Sequence, residues 1–167
     1  MICAIGQDSH RFLEPEHCCD SARKLLLGGV LFENTPPLCG NSDADVVLHA
    51  LCNAISGITC VNILGVRADT LLAESGVTDS EVYVREAMKH LQDYTIVHLS
   101  FSVECARPKV SPRIDEIRAN ISRITGLSAS HIGITATSGE GLTDFGKGLG
   151  IQVFCIISCM RKNSGGD

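Results

Sequence analysis

A chain of 167 residues with 44% hydrophobic and 20% charged residues has the composition of one globular domain with a proper core. Its net charge of −5 argues against a nucleic-acid or membrane-surface partner. The longest apolar run, Gly150 to Cys159, falls short of the roughly 20 residues that a membrane helix needs.

Met1 to Ile5 has no basic start and does not read as a signal peptide, so the cytoplasm is the expected location, with a plastid or other organelle left open. Residues 1–7 read as a first strand and 24–30 as a second, ending at Gly28-Gly29, with a polar loop, Pro15 to Asp20, between them. Thr35-Pro36-Pro37 breaks regular structure and leaves the Asn41-Ser42 turn exposed. Val46, Val47, Ala50, Leu51, Ala54 and Ile55 recur at helical spacing, which predicts a helix capped by Ser42 or Asp43 and ending near Gly57. Residues 61–78 lack periodicity and read as a functional or mobile loop. Ser80 to Gln92 is a predicted helix and Tyr94 to Cys105 a strand. Another helix opens at Ser111-Pro112 and runs to Gly126. His131 to Thr137 and Gly150 to Cys159 are further strands, and Arg161 to Asp167 a frayed tail. Strands alternating with helices predict an α/β sandwich, one β-sheet with helices on one face. An oligomer would hide the other face.

Nine cysteines form no Cys-x-x-Cys pair, which argues against a zinc ribbon or a redox motif. Cys52, Cys155 and Cys159 fall in apolar stretches, and most of the nine are expected to be free buried thiols in a reducing compartment.

Four features bear on chemistry. Asp8-Ser9-His10 puts a carboxylate and an imidazole on one strand face, because side chains two apart point the same way. His49, on the predicted helix, would complete three ligands around a divalent ion and leave an open position of the catalytic kind. The competing reading makes Asp8 a turn residue and His49 an ordinary helix histidine. Asp45, one turn before His49, would either orient its imidazole or face solvent. Ala136 to Leu142, at a strand end, combines hydroxyls with one carboxylate, Glu140, and suits a phosphate grip with a magnesium ligand, or else a plain turn. Gly146-Lys147-Gly148-Leu149-Gly150 reads equally as a phosphate loop and as a lead into a strand. Ala106-Arg107-Pro108-Lys109 sets two cations before a helix N-terminus, which itself attracts anions. Together these features point to a diphosphate or nucleotide diphosphate.

On Gly6 to Phe12, Leu27 to Val30, Ser42 to Ala50, Arg107-Pro108-Lys109 and Ala136 to Glu140, the chain resembles the 2-C-methyl-D-erythritol 2,4-cyclodiphosphate synthase family. The resemblance runs from Ile5 to about Ile157 and implies one synthase-like domain over 1–160, assembled as a homotrimer with sites between subunits. The implied reaction belongs to non-mevalonate isoprenoid biosynthesis. The 2-phosphate of 4-diphosphocytidyl-2-C-methyl-D-erythritol 2-phosphate attacks the β-phosphorus, closing the cyclodiphosphate ring and releasing CMP. By match, Asp8, His10 and His49 would hold a zinc-type ion and Glu140 magnesium or manganese. Cys105, Ala106, Arg107, Pro108, Lys109, Val110 and Ser111 would bind cytidine, and Thr137, Ser138 and Gly139 would meet phosphate. Asp8, His10, Ser42 and Glu140 would also contact substrate.

Several positions depart from the family pattern. Asn41 stands where a histidine steadies the transferring phosphate, so Asn41 and Ser138 (threonine in the family) are the expected catalytic pair. Lys147 replaces an arginine, and Asn62-Ile63-Leu64 replaces the Asp-Ile-Gly that binds the sugar diol. Arg67 to Leu71, with Asp69, stands in for Phe-Pro-Asp-Thr-Asp, and Thr143-Asp144 for Gly-Phe. An active synthase is the leading expectation. The alternatives are a non-catalytic trimeric binder of a phosphorylated or isoprenoid metabolite and a metal-dependent phosphohydrolase.

Overall fold

The computed structural model describes residues 1–13, 23–65, 76 and 78–162. The predicted loop Pro15 to Asp20, with Cys18 and Cys19, lies outside the described residues, as do Arg67 to Leu71 and residues 163–167. The main sheet holds four strands in the order β1, β6, β4, β5: β1 Ile2–Arg11, β4 Tyr94–Glu104, β5 Ile132–Thr137 and β6 Gly150–Arg161. Central β6 runs antiparallel to both neighbours, and β4 and β5 are parallel. A separate hairpin joins β2 Leu25–Leu27 to β3 Val30–Phe32. The helices are α1 Val46–Thr59, α2 Ser80–Met88 and α3 Ile114–Thr125.

Period-two alternation decides which face of the sheet is covered. Along β6, Ile151, Val153, Cys155, Ile157 and Cys159 are buried, whereas Phe154, Ile156 and Met160 are exposed. Leu99, Phe101 and Val103 of β4 share the buried face, and Ser100 and Ser102 the open one. Helices therefore cover one face, as the sequence predicts. α1 packs over β1 and β6, and α3 over β5. Ile117, Ile121 and Ile124 of α3 are buried at helical spacing, each contributing about 1.5–3 kcal/mol. Gly126 ends that helix in the left-handed conformation that glycine favours, with φ +74°. α1 sits against β1 at Gly6, where a β-carbon would lie 2.1 Å from the Ala50 carbonyl oxygen. Only glycine permits so close an approach.

Several boundaries correct the sequence reading. β1 extends to Arg11, so Asp8 and His10 lie within the strand rather than beyond its end. The predicted strand 24–30 is a hairpin in which Gly28 and Gly29 form the turn, with φ of +61° and +74°, and Val30 begins the next strand. α1 passes through Gly57 to Thr59, with Cys60 as its left-handed cap. The glycine at 57 serves packing rather than termination, since a β-carbon there would lie 2.9 Å from that of Ala4. α2 stops at Met88 rather than Gln92. Ser111–Arg113 forms a short 3-10 turn ahead of α3, as does Ala129–His131 ahead of β5. Arg161 belongs to β6, not to a frayed tail, and the Lys162 N–H donates to the Asp93 carbonyl. The described cysteines are all free: Cys52, Cys105, Cys155 and Cys159 are buried, and Cys3, Cys39 and Cys60 are exposed. Among the described residues no helix is long and apolar enough to cross a membrane.

Candidate metal centre

Asp8 and His10 pair with Val153 and Ile151 of β6, whose side chains are buried, so both turn toward the helix-covered face. There they meet His49, one turn into α1. Asp8 Oδ2 lies 3.0 Å from His49 Nδ1 and 3.2 Å from His10 Nε2. One oxygen and two imidazole nitrogens lie within 4.8 Å of one another. The two rings meet edge to face, 5.9 Å apart. Only 8% of His49 is exposed, and Asp8 and His10 are half-buried. Three convergent donors of mixed oxygen and nitrogen type suit a borderline divalent ion and leave a fourth position for substrate or water.

Burial works against ionisation of Asp8, but hydrogen bonds and attraction from His10 and His49 outweigh it and hold its carboxyl well below the usual carboxylate range. The hydrogen bond to Asp8 raises His10 above its ordinary 6.5, against the opposing effect of burial. A raised folded pKa contributes stability that is fully present below 6.5 and lost as pH rises through the folded value. Metal-free protein is therefore expected to melt at a lower temperature at about pH 9 than at about pH 6, and His10→Gln should flatten that difference. A parental melting temperature that is level or rising over the interval would count against this coupling.

Asp45 neither orients the His49 imidazole nor faces solvent. It is fully buried and caps α1, accepting N–H groups from Val47 at 3.0 Å and Leu48 at 3.1 Å. The same carboxylate accepts from Gly28 at 2.8 Å and Gly29 at 2.6 Å, which ties the hairpin turn to the start of the helix. Burial pushes its pKa up, against the downward pull of these donors. Ser42 and Asp43, the predicted caps, lie in the preceding turn. Opposite Asp8, the close partner of the His49 ring at Nε2 is Ser80, at 2.8 Å, which the sequence reading missed. The only local signal was a serine opening a predicted helix, too common a feature to mark it.

The candidates that follow β4 and β5 or precede β6 gather at the same end of the sheet, where β1, β4 and β5 finish and β6 begins. Asn62, Ile63 and Leu64 instead follow α1, which runs from His49 beside Asp8 to Gly57 beside Ala4, toward the other end of β1. β5 is three strands from β1, roughly 14 Å at ordinary strand spacing. Glu140 follows β5, is exposed, has a left-handed φ of +50° and accepts a hydrogen bond from Ser138 Oγ at 3.1 Å. It is not among the clustered ligand atoms of Asp8, His10 and His49. Gly139 N–H donates to Thr137 Oγ1 at 3.2 Å. A β-carbon on Gly139 would meet a Glu104 carboxylate oxygen at 2.2 Å. Lys147 is exposed, its Nζ 3.6 Å from Asp144. Arg107 and Lys109 are exposed, and the Arg107 guanidinium lies 5.0 Å from the centre of the Phe12 ring, at the end of β1. Cys105, Val110 and Ile63 are buried in the core, so only their backbone could meet a ligand. Burial raises the Cys105 thiol to about 11. Asn41, Asn62, Ala106, Ser111 and Ser138 are exposed, Ser42, Leu64 and Pro108 are half-buried, and Asp69 lies outside the described residues.

Fold and site define an α/β protein that carries, at one end of its sheet, a three-residue cluster able to hold a divalent ion. Residues 1–160 match the YgbB family, and the chain belongs to that family. It is 48% identical over 158 residues to the 2-C-methyl-D-erythritol 2,4-cyclodiphosphate synthase of Chlamydia muridarum, spanning 94% of this chain and 86% of that protein. It is similar to the solved 2C-methyl-D-erythritol 2,4-cyclodiphosphate synthase of Plasmodium vivax, with a TM-score of 0.79 and 27% identity over 96% of this chain and 98% of that one. A solved synthase of the same name in a form bound to CDP gives a TM-score of 0.80 and 27% identity, covering 95% of this chain and 100% of that one.

Proposed function

We propose that the chain acts as its relatives are named, as a 2-C-methyl-D-erythritol 2,4-cyclodiphosphate synthase of non-mevalonate isoprenoid biosynthesis. The reaction is an intramolecular phosphoryl transfer by a metal-dependent phosphorus–oxygen lyase. An oxygen of the 2-phosphate bonds to the β-phosphorus of 4-diphosphocytidyl-2-C-methyl-D-erythritol 2-phosphate. The bond to the bridging oxygen breaks, and CMP departs with that oxygen. The convergent Asp8, His10 and His49 carry this reading.

The chemistry asks the protein for position and charge rather than a nucleophile. Asp8, His10 and His49 would hold a zinc-type ion, and Glu140 magnesium or manganese. Such ions, when bound, neutralise phosphate charge and orient both phosphates. The exposed hydroxyls of Thr137 and Ser138 would donate to phosphate oxygens, and Lys147 would supply a point charge. Asn41 would donate a hydrogen bond to the transferring phosphate without adding charge. The loop from Cys105 to Ser111 would hold the cytidine, with Asn62 and Leu64 toward the sugar. Glu140 stands across the sheet end from Asp8, and Ile5, Phe154, Ile156 and Met160 leave an apolar strip on the open face. Both support a homotrimer whose subunits complete one another's sites. Free thiols suit a reducing cytoplasm.

Phosphorus NMR of the protein with the cytidyl substrate, zinc and magnesium tests the reading. The expected result is CMP together with two mutually coupled cyclodiphosphate resonances. Release of inorganic phosphate, or an unchanged spectrum with metal bound, would sink it.

A further inference from the structure

His49 uses both ring nitrogens. Nδ1 faces Asp8, and Nε2 lies 2.8 Å from Ser80 Oγ. Ser80 is completely buried at the start of α2, on a different element from the three clustered residues. Its hydroxyl also touches Asp43 Oδ1 in a close hydrogen bond, and its backbone N–H donates to Asp43 Oδ2 at 3.0 Å. Asp43 is itself fixed: its carboxylate accepts the Asp45 N–H at 3.2 Å, and its own N–H donates to the Thr78 carbonyl at 2.9 Å.

The hydroxyl carries a single proton, and a carboxylate can only accept. With Ser80 donating to Asp43, its oxygen is left to accept from His49 Nε2–H. Once an ion rather than a proton lies between Asp8 and Nδ1, the lone pair of a neutral His49 points at that ion. The Ser42 hydroxyl is 3.4 Å from Nε2 and already accepts the Ala44 N–H, so it is a poor substitute. We propose that Ser80, anchored by Asp43, is a positioning residue that selects the His49 tautomer and keeps Nδ1 available to a divalent ion. This rests on the metal-binding reading of Asp8, His10 and His49. The serine inserts one hydroxyl between histidine and carboxylate in the usual arrangement where a ligating histidine donates its second N–H.

Zinc affinity, measured on metal-free protein by competition with a chromophoric chelator, tests it alongside nitrogen NMR of histidine-labelled, zinc-loaded protein. Ser80→Ala is expected to bind zinc about 10–100-fold more weakly, with Ser80→Thr restoring most of the loss. The parent spectrum should show His49 protonated at Nε2 and zinc-bound at Nδ1, a readout that needs no variant to fold. Zinc on Nε2, or parental affinity in Ser80→Ala when His49→Ala has lost zinc, overturns the relay alone. Equal zinc affinity in His49→Ala and the parent overturns the metal reading, and the relay with it.

Discussion

His49→Ala is expected to lower synthase turnover by about 10²–10³-fold or more while leaving the fold intact. The imidazole supplies one of the three ligand atoms that cluster among the described residues, and its Nδ1 is 3.0 Å from the Asp8 carboxylate, which links the two histidines. Without it, Asp8 and His10 offer one oxygen and one nitrogen from a single strand, too few to hold an ion against water. Besides edge contact with His10 and a tilted approach to Tyr83 at 6.3 Å, the buried ring bonds Asp8 at 3.0 Å and Ser80 at 2.8 Å. The apolar residues of α1 that hold the helix on the sheet are untouched. Far-ultraviolet dichroism should therefore change little, while the melting temperature falls by several degrees for the lost buried hydrogen bonds. Turnover assays on metal-stripped and zinc-reloaded protein check the activity. Parental turnover in zinc-free His49→Ala would dismiss the metal centre as the catalytic site.

Asp45→Ala should act through the fold instead. The lost helix cap costs about 1–2 kcal/mol. Two hairpin N–H groups, from Gly28 and Gly29, lose their acceptor, at about 1–3 kcal/mol for each one left buried and unpaired. Gly28 is buried and the exposed Gly29 N–H can turn to water, so a total of about 2–5 kcal/mol corresponds to a melting temperature about 5–15 °C lower for a chain of this size. Asp45→Asn keeps the shape and one acceptor oxygen but sets an amide NH2 against an N–H, so an intermediate loss is expected. Activity should fall with stability, because Asp45 pins the first turn of the helix that carries His49. Differential scanning calorimetry is the check, and an Asp45→Ala melt within about 3 °C of the parent would show that water replaces these bonds at little cost.

The two residues differ in how far the sequence exposed them. Asp8-x-His10 is legible because strand geometry alone puts both side chains on one face, and His49 stands out as a polar residue within a helical apolar pattern. α3 is equally plain, since its isoleucines recur at helical spacing and a glycine ends it. The β2–β3 hairpin was read as one strand because three-residue strands are too short for alternation to register, leaving only the Gly28-Gly29 pair to mark the turn. Helical spacing shows only which way Asp45 points, whereas two of its four donors come from its own helix and two from a hairpin turn 16 to 17 residues before it.

By itself the sequence determined an α/β chain with one covered sheet face, because this follows from periods of two and of about 3.6 residues within single elements. It offered Asp8, His10 and His49 as ligands only beside a plainer reading that the family resemblance tipped. The tertiary structure alone decided the strand order that brings the ends of β1, β4 and β5 together. It also decided the close approach at Gly6 that sets α1 over Asp8, and the placement of Ser80 behind His49. Those contacts join residues 31 to 48 positions apart, and packing between elements, not local pattern, selects them.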